Sequence, residues 1–119
     1  MKLSQSFEDY LEAIYILEVE GKPIKASTIA TNLEVTKPAV TKAMNDLLTM
    51  FLIEKTPYSQ IKLTDAGREI AKSVYHRHTV IRDFLTKIGV SKETAEKDCC
   101  MIEHVISSET LTAMEKFKK

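Results

Sequence analysis

The stretch Ala26-Ser27-Thr28-Ile29-Ala30-Thr31-Asn32-Leu33, then Glu34-Val35-Thr36, then Lys37-Pro38-Ala39-Val40-Thr41-Lys42-Ala43-Met44, decides the fold. Ile29, Ala30 and Leu33 fall on one face of a short helix over 26–33. Val40, Met44, Leu47 and Leu48 fall on one face of a second helix, from about 37 to 50. Thr36 is a suitable N-cap, and Pro38 stands in the first turn, where a missing N–H costs nothing. Two short helices joined by three residues form a helix-turn-helix, whose second helix enters the major groove of DNA by its N-terminal end.

Reading outward, Phe7, Tyr10, Leu11, Ile14, Tyr15 and Leu17 give a helix over 6–19, with Ser6 as its expected cap and Gly21-Lys22-Pro23 as its stop. Beyond the second short helix, Leu52–Lys55 and Gln60–Thr64 read as strands joined by the turn Thr56-Pro57-Tyr58-Ser59. Thr64 is expected to cap a long helix from Asp65 to about Ile88, with Gly89 as its stop. Ser91 caps a helix expected over 92–106, and Ser107 or Ser108 a last one ending near Phe117. The fold class is mainly α with a small β-hairpin. A winged helix-turn-helix is expected over 1–72 and a helical domain over 73–119.

The chain has 119 residues, with 17 basic and 17 acidic side chains. The neutral total conceals a partition. Residues 1–20 hold Lys2 against five acids, for −4; residues 21–77 hold nine basic against five acidic, for +4; the remainder cancels. The basic segment is the one with the helix-turn-helix. Its expected DNA contacts are Thr36, Lys37, Pro38, Ala39, Thr41 and Lys42 on the second helix, with Tyr58 and Ser59 at the hairpin tip. Lys55 and Lys62 are placed to follow the adjacent phosphates. The longest uncharged apolar run, Leu47–Ile53, is too short for a bilayer, and no apolar stretch precedes Glu8. The expectation is therefore a cytoplasmic protein without a membrane partner. No Gly-rich loop or cofactor motif accompanies Cys100 and His104, which argues against an enzyme and against a small organic substrate.

Cys100, Glu103 and His104 lie at i, i+3 and i+4, one face of a helix, and offer thiolate, carboxylate and imidazole. Asp9 and Glu12 are spaced i, i+3 in the acidic first helix, and His78 lies on the long helix. Six candidate ligands for a divalent transition metal thus come from three helices. Cys99 is expected to pack as a small hydrophobe. The competing reading is a metal-independent winged-helix regulator that senses oxidation through Cys99 and Cys100.

These stretches together resemble the diphtheria toxin repressor family, which includes iron-dependent repressors and manganese transport regulators. The resemblance rests on Glu8-Asp9-Tyr10-Leu11-Glu12-Ala13-Ile14-Tyr15, on Ile29-Ala30 through Val40-Thr41-Lys42, on Ile61-Lys62-Leu63-Thr64-Asp65-Ala66-Gly67, on His78 and on Ile102-Glu103-His104-Val105. It implies a homodimer that binds palindromic double-stranded operator DNA when a metal ties the first helix to the helices of a dimerisation domain. It also implies that Asp9, Glu12, His78, Cys100, Glu103 and His104 are the ligands. The chain departs from both branches. Manganese-type members usually carry glutamate at the position of Cys100, and iron-type members carry methionine at that of Asp9. Arg82 and Glu96 replace a carboxylate and a histidine of the iron type's ancillary site. In ending near Lys119, the chain resembles the shorter manganese-type members. Because a thiolate favours softer ions, Fe²⁺ is the expected effector, Mn²⁺ the next, with Zn²⁺ binding in vitro.

Overall fold

The computed structural model describes residues 3–56 and 60–118. The chain divides into two compact units, Met1–Lys72 and Ser73–Lys119. The element order is α1 (Gln5–Val19), α2 (Ala26–Leu33), α3 (Lys37–Thr49), β1 (Ile53–Lys55), β2 (Ile61–Leu63), α4 (Asp65–Lys87), α5 (Lys92–Ile102) and α6 (Ser108–Lys116). Among the described residues no helix is long and apolar enough to cross a membrane.

The core of the first unit is a single cluster. Leu11, Ile14 and Leu17 from α1 meet Ile29 from α2, Val40, Met44 and Leu47 from α3, and Ile53 and Leu63 from the hairpin. Local chemistry fixes where each element begins. Ser4, not the expected Ser6, caps α1: its Oγ accepts from Phe7 N at 3.3 Å, and Ser6 lies inside the first turn. A cap needs extended backbone with a helix three residues on, and only Ser4, at φ −67 and ψ 157, provides it. Between α2 and α3, Glu34 takes the left-handed conformation (φ 56), and Val35 N bonds to Ala30 O at 3.0 Å. That closes α2 and lets Thr36 open α3, with its hydroxyl accepting from Ala39 N.

The hairpin is antiparallel, with Ile53 opposite Leu63, Glu54 opposite Lys62 and Lys55 opposite Ile61. Each strand is shorter than expected, because Leu52 and Thr64 are engaged in a junction with α4. Thr64 N donates to Leu52 O at 3.1 Å, and Thr64 Oγ1 donates to Phe51 O and accepts from Gly67 N. Gly67 is required by this approach, since a Cβ there would lie 2.0 Å from Leu52 O and 2.9 Å from Leu52 C. Arg68, one turn into α4, grips Glu18 with Nε and Nη2 at 2.8 and 3.2 Å. This hydrogen-bonded pairing raises the guanidinium pKa above its ordinary value.

In the second unit Gly89, at φ 107, ends α4, and Ser91 opens α5 by accepting from Thr94 N. Val74, Ile81, Ala95 and Cys99 are buried, and Phe84 meets Phe117 edge-to-face at 5.2 Å. α5 ends at Ile102 rather than at 106, with Glu103 as its C-cap and residues 103–105 in a turn. Val105 N bonds back only three residues, to Ile102 O, a tightening that closes the helix before Ser107 takes up the extended cap of α6.

Replacing Gly67 with Ala forces backbone against backbone, and is expected to cost about 3 kcal/mol. Thermal unfolding should show Tm lowered by roughly 10 °C.

Candidate metal centre and nucleic-acid interface

In the first unit, Thr36, Lys37, Pro38, Ala39, Thr41 and Lys42 are all exposed, while Val40, Ala43 and Met44 face the core. The N-terminal end of α3 therefore presents small residues, hydroxyls and two lysines on a continuous surface. Tyr58 and Ser59 lie outside the described residues. Beside α3 and the hairpin is a cleft of about 800 Å³, bordered by Lys22, Lys25, Thr41, Lys55, Lys62 and Arg68. Lys22 and Lys25, from the segment before α2, were not among the expected contacts. Their signal was present only as an unremarkable pair of lysines around Pro23, and the turn of the chain is what groups them with Lys55 and Lys62.

In the second unit, α4 brings His78 to the end of α5. Glu103 is 1% exposed and His104 6%. An isolated glutamate is most often a solvated surface group, and this one is not. Its Oε1 lies 3.4 Å from His78 Nδ1 and 3.8 Å from His104 Nε2, while its Oε2 is buried with no hydrogen-bond partner among the described residues. Arg77, one residue before His78, donates from Nε to the Glu103 backbone carbonyl at 2.8 Å. A carboxylate buried with an unsatisfied oxygen is costly unless a cation compensates it. A carboxylate approached by an imidazole on either side offers donors of the types that suit a divalent ion.

The remaining donors are close by. Cys100 Sγ is 3.8 Å from His78 Nδ1. Cys99 is fully buried, as expected of a small hydrophobe, yet its Sγ lies 3.5 Å from both ring nitrogens of His78. Burial, reinforced by the neighbouring Cys100, Glu96 and Glu103, pushes the Cys99 thiol up to about 12. Glu96 Oε1 is 2.7 Å from His78 Nε2, and its Oε2 is 3.9 Å from Arg82 Nη1. Glu96 and Cys99 were not among the expected ligands, although Glu96, Cys99 and Cys100 are spaced i, i+3 and i+4, the same pattern that singled out Cys100, Glu103 and His104. In the first unit, Asp9 and Glu12 share one face of α1, Glu12 only 8% exposed and Asp9 half-buried.

Two family profiles match this chain. One, the N-terminal DNA-binding domain of iron-dependent repressors, matches residues 2–61, and the other, their metal-binding and dimerisation domain, matches residues 64–119. The chain belongs to the iron-dependent repressor family. An uncharacterised HTH-type transcriptional regulator of Methanocaldococcus jannaschii is 38% identical, over 98% of each chain. The transcriptional regulator MntR of Escherichia coli O157:H7 is 37% identical over 92% of this chain and 71% of its own. The structure of the manganese regulator SloR superposes with a TM-score of 0.83 at 29% identity. That match takes in 93% of this chain, which spans about half (52%) of the SloR chain. Members are metal-dependent transcriptional regulators rather than enzymes, and the mainly α architecture with a winged helix-turn-helix is the family's fold.

Glu103→Gln removes the buried charge and keeps the shape. The metal-free variant is expected to be at least as stable as the wild type. A divalent ion at about a hundred times its Kd stabilises the native wild type by about 2.7 kcal/mol, and most of that gain should vanish in the variant. Thermal melts with and without Mn²⁺ measure both.

Proposed function

We propose that this chain represses transcription as a homodimer on palindromic operator DNA in the cytoplasm, with Mn²⁺ as its co-repressor. The observation that carries the metal dependence is the Glu103 carboxylate, buried between His78 and His104 with one oxygen unsatisfied. Mn²⁺ comes from the relatives, two of which are named for manganese or as MntR. The residues that would hold the ion are His78, Cys100, Glu103 and His104, with Asp9 and Glu12 added on the family resemblance alone. When bound, a dication neutralises the carboxylates and fixes the imidazoles as neutral ligands. Binding of metal and of DNA are then linked, and each strengthens the other by the same factor.

On the DNA side, Thr36, Thr41 and the small residues Pro38 and Ala39 allow α3 to approach base edges. Lys37, Lys42, Lys55 and Lys62 supply phosphate contacts, with Tyr58 and Ser59 as further DNA contacts. Homodimerisation is supported by Met101 and Val105, which are 70% and 78% exposed beside the metal ligands, and by the dimerisation domain matched over this segment.

A second reading of the effector is Fe²⁺. It is favoured by the Cys100 thiol, 3.8 Å from His78 Nδ1, because sulfur suits a softer ion than Mn²⁺. An anaerobic DNA-shift titration with Mn²⁺, Fe²⁺ and a chelator control tests both. Mn²⁺ should promote binding at lower free concentration than Fe²⁺, and the reverse order establishes Fe²⁺. Binding that survives the chelator and responds to peroxide instead would favour an oxidation sensor at Cys99 and Cys100. Lys42→Ala should weaken DNA binding across sequences and reduce the slope of log K against log salt by about 1, measured by fluorescence anisotropy.

A further inference from the structure

The cysteine pair sets sulfur donors beside the oxygen-rich ones, and its geometry carries an inference of its own. Metal–sulfur bonds of about 2.3 Å and metal–nitrogen bonds of about 2.0 Å place the nitrogen and sulfur ligands of a tetrahedral ion about 3.5 Å apart. Cys99 Sγ lies 3.5 Å from His78 Nδ1, and Cys100 Sγ lies 3.8 Å from the same nitrogen. Donor atoms of His78, Glu96, Cys99 and Cys100 all fall within 4.8 Å of one another. All four residues lie in the second unit, near the middle of α4 and on the last turns of α5.

The role of Glu96 follows from its position on the far side of the ring. Its Oε1 is 2.7 Å from His78 Nε2, the shortest contact His78 makes among those described, so the ring proton is placed there, with Nε2–H donating to the carboxylate. That tautomer leaves Nδ1 unprotonated, 3.8 Å from Cys100 Sγ and 3.5 Å from Cys99 Sγ, which lies equally close to Nε2. Histidine ligands are commonly oriented by a carboxylate on their other nitrogen, which also makes the ligating nitrogen more basic. Arg82 Nη1, 3.9 Å from Glu96 Oε2, steadies the carboxylate in turn.

We propose that His78 Nδ1, Cys99 Sγ and Cys100 Sγ form a thiolate-rich site for a thiophilic divalent ion such as Zn²⁺, with Glu96 as the positioning residue. Two sulfurs and an imidazole select softer ions over Mn²⁺. The inference rests on the metal-dependent reading above for His78 and Cys100, whereas Cys99 and Glu96 are its own. Because His78 and Cys100 serve both donor sets, a thiophilic ion held here withdraws two ligands from the oxygen-rich set. Zn²⁺ and Mn²⁺ then compete for the chain rather than add.

The test uses the whole reduced chain under anaerobic conditions, with Co²⁺ as a spectroscopic probe and Zn²⁺ as competitor. Sulfur-to-cobalt charge-transfer absorption should appear with the intensity of two thiolates per ion and be bleached by Zn²⁺. Cys99→Ala should halve that intensity and weaken Zn²⁺ binding by about tenfold or more. Glu96→Gln, at an exposed side chain that leaves the core intact, should keep both sulfurs on cobalt but weaken binding about tenfold. Full intensity in Cys99→Ala overturns the proposal, leaving Cys100 as the single sulfur ligand. If the wild type gives no sulfur band while its DNA binding still requires Mn²⁺, this inference fails and the regulator reading stands. A two-thiolate band in a chain whose DNA binding ignores every metal supports the site and overturns the regulator reading.

Discussion

The burial of one carboxylate governs the second unit. Glu103 is a charged group placed where solvent cannot reach it, and the surrounding groups are arranged in answer to that. Arg77 takes its backbone carbonyl, His78 and His104 approach one of its oxygens, and the other oxygen is left unsatisfied. Such an arrangement is poor as a purely structural device, because a buried charge without full compensation opposes folding. It makes sense as a binding device, in which an ion completes what the side chains leave open. On the proposed function, stability held back in the metal-free chain becomes available as metal affinity.

The first unit is built around an apolar core, with the hydroxyls of Thr36 and Thr64 spent on helix starts and junctions. Thr36 and Thr64 open the two helices that frame the wing, and Thr64 also ties the end of α3 to the start of α4 through Phe51 O. Gly67 permits the backbone contact on which that junction depends. With the inward face of α3 committed to Val40, Met44 and Leu47, its outward face keeps Lys37, Thr41 and Lys42 on a rigid support. A DNA-reading surface requires this, since groove contacts specify sequence only when the reading side chains are held in register.

Much of this was legible from local chemistry. Thr36, Thr64, Ser91 and Ser107 each cap the helix that follows, and Gly89 ends α4, because caps and stops are satisfied within three or four residues of themselves. The errors fell where two local solutions competed. Ser4 and Ser6 both suit a cap, and composition alone does not choose between them. The pattern Cys100, Glu103 and His104 is helical in spacing, so it read as continuous helix, whereas the chain leaves the helix at Ile102. One further turn would have carried α5 through the residues that lead into the Ser107 cap.

By itself, the sequence determined the order of the elements, the helix-turn-helix and its basic segment, and the residue types able to hold a metal. Periodicity, capping and charge act over a few residues, and a linear reading captures them. Only the tertiary structure decided that Glu103 is buried, that Cys99 and Glu96 join His78, and that Lys22 and Lys25 border the same cleft as Lys55 and Lys62. Burial and convergence depend on which helix faces cover one another, and those contacts join residues far apart in the chain. His78 is more than twenty positions from Glu103, and its approach to Glu103 depends on the packing of α4 against the end of α5.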